Sequence, residues 1–146
     1  MKVAYPTIFT ETDTNILIEI PDLGIFTEAN SEDLKKGNLA DAVAMARDAI
    51  GLYCISKEDN EEEIVCSSRI QDIDVTSSTF YEDGKTFVSI VDVDLCVYRQ
   101  KNDMKMVRRN VTLPNWLNRE AEAAHINVSR VLQEALMSKL NISKLI

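Results

Sequence analysis

Short runs of alternating or β-branched apolar residues open the chain, with turn-forming residues between them. Residues 2–10, 16–20 and 25–29 carry this pattern, which predicts three strands, the first two forming a hairpin. Pro6 has no N–H for a ladder hydrogen bond, so it predicts either an edge strand or a bulge in the first run. The start of the chain is therefore expected to form an antiparallel sheet.

A helix is predicted next, because apolar residues recur every three or four positions from Leu39 to Tyr53. Asn38 is a good N-cap for this helix, which should end near Lys57. Gly51 weakens a helix interior by roughly 1 kcal/mol relative to Ala, which suggests close packing of the helix on the sheet.

The segment after this helix is polar, and it leads to the most apolar strand of the chain. Residues 58–63 form an acidic run, interpreted as a solvated loop, and an ordered loop is expected to reach the Asp83-Gly84 turn. Residues 86–93 contain so few polar side chains that the pattern predicts a central strand, buried on both faces. Asp94 is expected to cap one further helical turn. The order β-β-β-α-β predicts an α+β layer.

The last third of the chain combines one short alternating run with two helical patterns. In residues 107–113, Arg108, Asn110 and Thr112 share one face of the predicted strand, and Val107, Arg109, Val111 and Leu113 share the other. Helices are predicted over 115–124 and 128–140, the second with Asn127 as its N-cap. One strand and two helices bury too little surface to fold alone, and a lone strand cannot pair with itself. A dimer with a two-stranded antiparallel ribbon over four helices solves both problems.

This arrangement resembles the ribbon-helix-helix repressors of the MetJ and Arc type, whose ribbons lie in the major groove of DNA. The resemblance implies that Arg108, Asn110 and Thr112 read bases. Phosphate contacts would come from Arg109 and from the backbone at Val128 and Ser129, where a helix begins. The dimer core would consist of Val111, Leu113, Val131, Leu132 and Leu136.

The net charge of −8 over 146 residues argues at first against a nucleic-acid partner, but the charge is unevenly divided. Residues 1–100 hold 20 acidic and 8 basic side chains, whereas residues 101–146 hold 4 acidic and 8 basic. The C-terminal third is thus the basic part, which suits DNA, and the acidic part suits a basic protein.

Several classes of protein are disfavoured by the sequence. No run is apolar enough to span a bilayer, and no secretory signal is visible, so a cytoplasmic location is expected. Three cysteines without C-x-x-C spacing and a single histidine disfavour a disulfide framework or a zinc site, and no cofactor is predicted. Catalysis is not expected either, although Asp22, Asp92 and Asp94 leave open a metal-dependent nuclease.

Motifs from both parts of the chain, taken together, resemble one family, the HicB antitoxins. They are Tyr5-Pro6-Thr7-Ile8-Phe9, Ile20-Pro21-Asp22-Leu23, Val91-Asp92-Val93-Asp94-Leu95 with Tyr98-Arg99, residues 107–118, and residues 126–136. The resemblance implies a catalytically dead, partial RNase-H-like domain over 1–100, a linker over 101–106, a ribbon-helix-helix domain over 107–141 and a tail over 142–146.

The implied partners are a HicA-type toxin, which is a small basic mRNA-cleaving ribonuclease, and operator DNA. The chain would neutralise the toxin and repress its own operon as a type II antitoxin. It would act as a homodimer, and the sequence leaves open a tetramer in the toxin complex. The alternative is a stand-alone ribbon-helix-helix regulator with a sensory N-terminal domain.

Overall fold

The computed structural model describes residues 1–30 and 39–143. It divides the chain into two units, Met1–Asp103 and Met104–Ile146, which are described separately below. The predicted N-cap at Asn38 and the last three residues of the predicted tail lie outside the described residues.

A four-stranded antiparallel sheet forms the first unit, as the pattern of short strands predicted. Its strands are β1 (Lys2–Glu11), β2 (Asn15–Ile20), β3 (Ile25–Asn30) and β4 (Lys85–Asp94). They lie in the order β3-β2-β1-β4. The predicted hairpin of the first two strands is confirmed, since Phe9 lies opposite Ile18.

The prediction that residues 86–93 form a central strand is wrong. β4 is an edge strand, and β1 takes the central place. Only Val91 and Val93 of β4 are buried, whereas six consecutive residues of β1 are buried. An apolar sequence in β4 therefore does not mean that both faces of the strand are buried.

Pro6 lies in the central strand without costing a ladder hydrogen bond. The N–H of Leu95 donates to the carbonyl of Met1 at 3.0 Å, which fixes the odd-numbered residues of β1 as those bonded to β4. The nitrogen of Pro6 therefore faces away from β4, towards the side where β2 pairs only with Ile8–Glu11. The expected edge strand is thus wrong for β1 as a whole, and its unbroken register with β4 contains no bulge.

One face of the sheet is covered by α1 (Leu39–Asp59), and the core lies between them. Small buried residues of α1 allow its close approach to large side chains of β1 and β2. The core contains Ala42, Ala46, Ile50 and Cys54 from α1, and Tyr5, Phe9, Ile16, Ile18, Ile20, Ala29, Val91, Val93 and Leu95 from around the sheet.

Gly51 is explained by a helix contact rather than by the predicted contact with the sheet. Asp94 caps α2 (Leu95–Asn102), as expected, by accepting from the N–H groups of Cys96 and Val97. A Cβ at Gly51 would lie 2.5 Å from the ring of Tyr98 on α2. Only glycine allows this aromatic ring to lie directly against α1.

The loop between α1 and β4 is ordered by side-chain contacts with the sheet. Ser68 donates to Asp22, and Ser78 donates to Glu19 at 2.6 Å. Phe80 packs edge-on against Phe26, with ring centroids 5.7 Å apart. These contacts confirm the prediction of an ordered loop.

The second unit contains α3 (Asn115–Ala123) and α4 (Val128–Lys139), close to the predicted bounds. Between them His125 adopts a left-handed conformation, with φ 54°, and its N–H donates to Glu122 while that of Ile126 donates to Ala121. This is a Schellman motif, which satisfies carbonyl groups at the end of α3 and stops the helix.

Candidate nucleic-acid interface

The predicted strand over 107–113 does not form in a single copy of the chain. Residues 103–114 have no regular secondary structure. A strand needs hydrogen bonds from a neighbour, and the neighbour predicted for this one is the same segment of a second copy. The ribbon remains a prediction, and its segment is present as an exposed connection leading into α3.

The three predicted base-reading residues all lie on this exposed segment. Arg108, Asn110 and Thr112 are solvent-exposed, and so is Arg109. Within the described part of the chain, no ion pair engages either arginine. Both guanidinium groups therefore remain available for an external anion.

The start of α4 has the geometry of a phosphate-binding helix N-terminus. The side chain of Asn127 accepts a hydrogen bond from the N–H of Arg130 at 3.1 Å, which confirms the predicted N-cap. The N–H groups of Val128 and Ser129, in the first turn, have no acceptor within the helix itself. They point along the helix axis in the direction that favours an anion.

The residues predicted to form the dimer core are largely exposed in the single chain. Val131 and Leu136 of α4 are each 51% exposed, and Val111 is also 51% exposed. Leu113 is 37% exposed, and Leu132 is half-buried. This unit leaves its apolar side chains in contact with water, which disfavours the single copy.

The three carboxylates of the nuclease alternative each have a separate structural partner. Asp22 accepts from Ser68, Asp94 caps α2, and Asp92 lies 3.1 Å from the guanidinium of Arg47. Among residues 1–30 and 39–143, no group of three His, Cys, Asp or Glu side chains could hold a metal ion.

The acidic run, residues 58–63, begins in the last two residues of α1 and is partly neutralised by basic side chains. The guanidinium of Arg99 lies 2.9 Å from carboxylate oxygens of both Glu58 and Asp59, and Lys57 pairs with Glu62. The hydrogen bonds to Glu58 and Asp59 raise the pKa of Arg99. The prediction of a loop over the whole run is wrong at its start, because α1 continues to Asp59.

The contact between Arg47 and the edge strand β4 was not predicted from the sequence. The Nε of Arg47, on α1, donates to the backbone carbonyl of Asp92 at 2.9 Å. No local pattern could have indicated this, because it depends on β4 being an edge strand.

Comparison with known proteins gives a fold and no family. No protein-family model matches the sequence, and no curated protein matches it either. The structure is similar to a chain in a solved toxin–antitoxin complex from Streptococcus pneumoniae, with a TM-score of 0.58 and 21% sequence identity. The similarity covers 95% of this chain and 99% of that one. At this identity it establishes a shared α+β fold.

Among the helices of the described residues, none combines the length and the apolar character that crossing a bilayer requires.

Proposed function

We propose that this chain is the antitoxin of a type II toxin–antitoxin system of the HicAB type. Its first unit, a partial RNase-H-like domain, binds and neutralises a HicA-type toxin. Its second unit dimerises as a ribbon-helix-helix domain and represses the operon by binding operator DNA. The role is not enzymatic, since binding alone accounts for both activities.

The observation that carries the proposal is the incomplete second unit. Two helices with exposed apolar side chains follow a segment whose alternation fits a strand, but this segment pairs with no strand among residues 1–30 and 39–143. A second copy supplies both missing parts, a strand for 107–113 and an apolar surface for α4. The fold similarity to a chain of a toxin–antitoxin complex supports the choice of this class.

DNA recognition follows from the alternation of side chains along the ribbon segment, residues 107–113. In a two-stranded ribbon Arg108, Asn110 and Thr112 project from one face, and the two-fold axis presents that face twice. Arginine pairs with guanine and asparagine with adenine in the major groove. The N–H groups of Val128 and Ser129 then bind a phosphate on each side and fix the register.

Toxin binding is proposed for the first unit because of its charge. The 12-charge excess of acidic over basic residues in residues 1–100 attracts a basic ribonuclease and accelerates the encounter. Such steering weakens as salt rises, since screening shortens the range of the interaction.

The decisive experiment mixes the purified chain with the product of the neighbouring gene, which the proposal expects to be a small, basic, histidine-containing protein. It measures toxin RNase activity and binding to the upstream DNA. Asn110→Ala is expected to weaken operator binding by about 10- to 100-fold, through about 1–3 kcal/mol of lost base contact. Toxin neutralisation should be unchanged, because Asn110 belongs to the other unit.

Asn118→Ala, on α3, is the matched control and should leave operator binding unchanged. Loss of both activities in Asn110→Ala would contradict the division of labour between the units. Operator binding without any effect on the neighbouring protein would favour the alternative, a stand-alone regulator.

A further inference from the structure

α1 has two stripes of small or apolar residues, and the sheet covers only one of them. The covered stripe consists of Ala42, Ala46, Ile50 and Cys54. The second stripe recurs at intervals of four, three and four residues, and consists of Met45, Ala49, Leu52 and Ser56. Met45 is 43% exposed and Leu52 is 59% exposed. A helix packed on one sheet needs one apolar stripe, so the second stripe is surface for a further contact.

The second stripe forms one wall of a groove, and β3 forms the other wall. A cavity of about 390 Å³ lies between Ile25 of β3 and the side chains of Leu52 and Tyr53. The groove continues past Ala29 of β3 to Met45. Along α1 it extends over about 17 Å, which is the length of three helical turns. An apolar groove of this length is the kind of surface that receives one face of a partner helix.

The rim of the groove is acidic. Asp41 and Asp48 lie beside Met45 at one end, and Glu62 lies at the other end. Lys57, the cation among the described residues that line the groove, is already paired with Glu62. Residues 31–38 join β3 to α1 outside the described part of the chain, and their two acidic and two basic side chains cancel in charge. A partner that complements this groove is therefore basic.

We propose that the groove between α1 and β3 binds a basic amphipathic α-helix of the toxin, an inference that rests on the proposed function. The apolar face of that helix packs on the second stripe of α1, and its lysine or arginine side chains approach Asp41 and Asp48. A helix fits because its own side chains recur at the same intervals of three and four residues. A second copy of the first unit does not fit, because it has the same acidic excess and would be repelled.

Leu52→Lys in the full-length chain tests the groove, with the product of the neighbouring gene as the probe. The substitution removes an apolar contact and places a cation where a basic helix should bind. Binding of the product should therefore weaken at least about 10-fold, measured by calorimetry, and RNase inhibition should weaken with it. Urea unfolding should show an intact fold, since Leu52 is exposed. Leu52→Met, which keeps an apolar side chain, should bind like the unmodified chain.

Ile90→Lys is the matched control on the other face of the sheet. Ile90 is 46% exposed, and it alternates with Val91, which is buried in the core beneath α1. The same change of side chain should leave binding of the product unchanged there. For the charges, Asp41→Asn should lower the association rate about two-fold and reduce its dependence on salt. Asp72→Asn, an equal change of charge in the loop before β4, should have a smaller effect.

A photo-cross-linking amino acid in place of Leu52 identifies the occupant of the groove. The expected cross-link joins this position to a basic helical segment of the product. A cross-link to a second copy of the first unit, or to the second unit of this chain, would overturn the proposal.

The failure of this proposal is distinguishable from the failure of the proposed function. If the unmodified chain binds and neutralises the product and Leu52→Lys is equally active, only the groove proposal is overturned. If the unmodified chain does not bind the product, the proposed function fails, and the groove proposal fails with it.

Discussion

The two units of this chain differ in how they treat their apolar side chains. In the first unit α1 and the sheet bury Tyr5, Phe9 and Ile50 almost completely. In the second unit Val131 and Leu136 remain half-exposed on a helix of regular amphipathic pattern. The same kind of sequence pattern therefore produces a complete core in one unit and an unfilled surface in the other. Amphipathic spacing thus specifies which face of a helix is apolar. It does not specify whether that face is covered by the same chain or by another one.

The largest expected effect tests the second unit. Leu132→Asp should abolish dimerisation through α4 and operator binding, because a carboxylate in an apolar interface costs several kcal/mol. Analytical ultracentrifugation and gel-shift assays measure the two losses. Gln133→Asp, one residue along on the exposed face, is the matched control and should retain both. If Leu132→Asp remained a DNA-binding dimer, the comparison between the units would fail.

A smaller effect is expected at the tightest contact of the first unit. Gly51→Ala should destabilise the chain by about 1–3 kcal/mol, because the new methyl group overlaps the ring of Tyr98. Urea unfolding measures the change. In a Tyr98→Ala background the new methyl group has no ring to overlap, so Gly51→Ala should recover part of the higher helix propensity of alanine. The effects of the two substitutions on stability should therefore not be additive. An equal loss with and without the ring would contradict the packing explanation.

Tyr98 also predicts a pH dependence of the first unit. Burial, with a hydrogen bond to Asp48, raises the pKa of Tyr98 to about 12 from 10.0. The folded chain thus holds this proton more tightly than the unfolded chain, and the resulting stability, about 1–2 kcal/mol, is present below pH 10 and is lost as the pH rises towards 12.

Tyr98→Phe removes the titrating hydroxyl group, so the variant should lose less stability than the unmodified chain as the pH rises from 10 to 12. Urea unfolding midpoints between pH 8 and 12 measure the difference. Tyr5 contributes to the remainder, because burial raises its pKa to about 12 as well. A variant with an unchanged pH profile would show that Tyr98 is not a source of the effect.

The smallest expected effect concerns the link between the two helices of the second unit. His125→Gly should stabilise this unit by up to about 1 kcal/mol, because glycine adopts a φ of 54° without the steric cost borne by other residues. Thermal unfolding by circular dichroism detects it. Ala124→Gly, whose φ is −85°, should destabilise instead. Destabilisation by both would contradict the Schellman geometry.

Local patterns predicted the elements of this fold well. The three N-terminal strands, α1, both later helices and the caps at Asp94 and Asn127 depend on near neighbours in sequence, and all were predicted. The order of the strands was not, because the place of β4 in the sheet depends on which distant strand pairs with β1. The contacts of Arg47 with Asp92 and of Gly51 with Tyr98 were not predicted either, because they also join residues that are distant in sequence. Of the candidate interface, the helices and the N-cap were predicted from the sequence, and the ribbon stays a prediction because a strand needs a partner.

The long-range pairing of β1 with β4 has a consequence for how the chain is made. Lys2 lies opposite Asp94, so the central strand is synthesised far ahead of the partner that completes its sheet. At about 5–20 residues per second, on the order of 5–20 s separate the two strands on the ribosome. During that interval β1 can pair with β2, while the edge that receives β4 stays open. A nascent chain is therefore unable to complete its first unit until translation has passed residue 94.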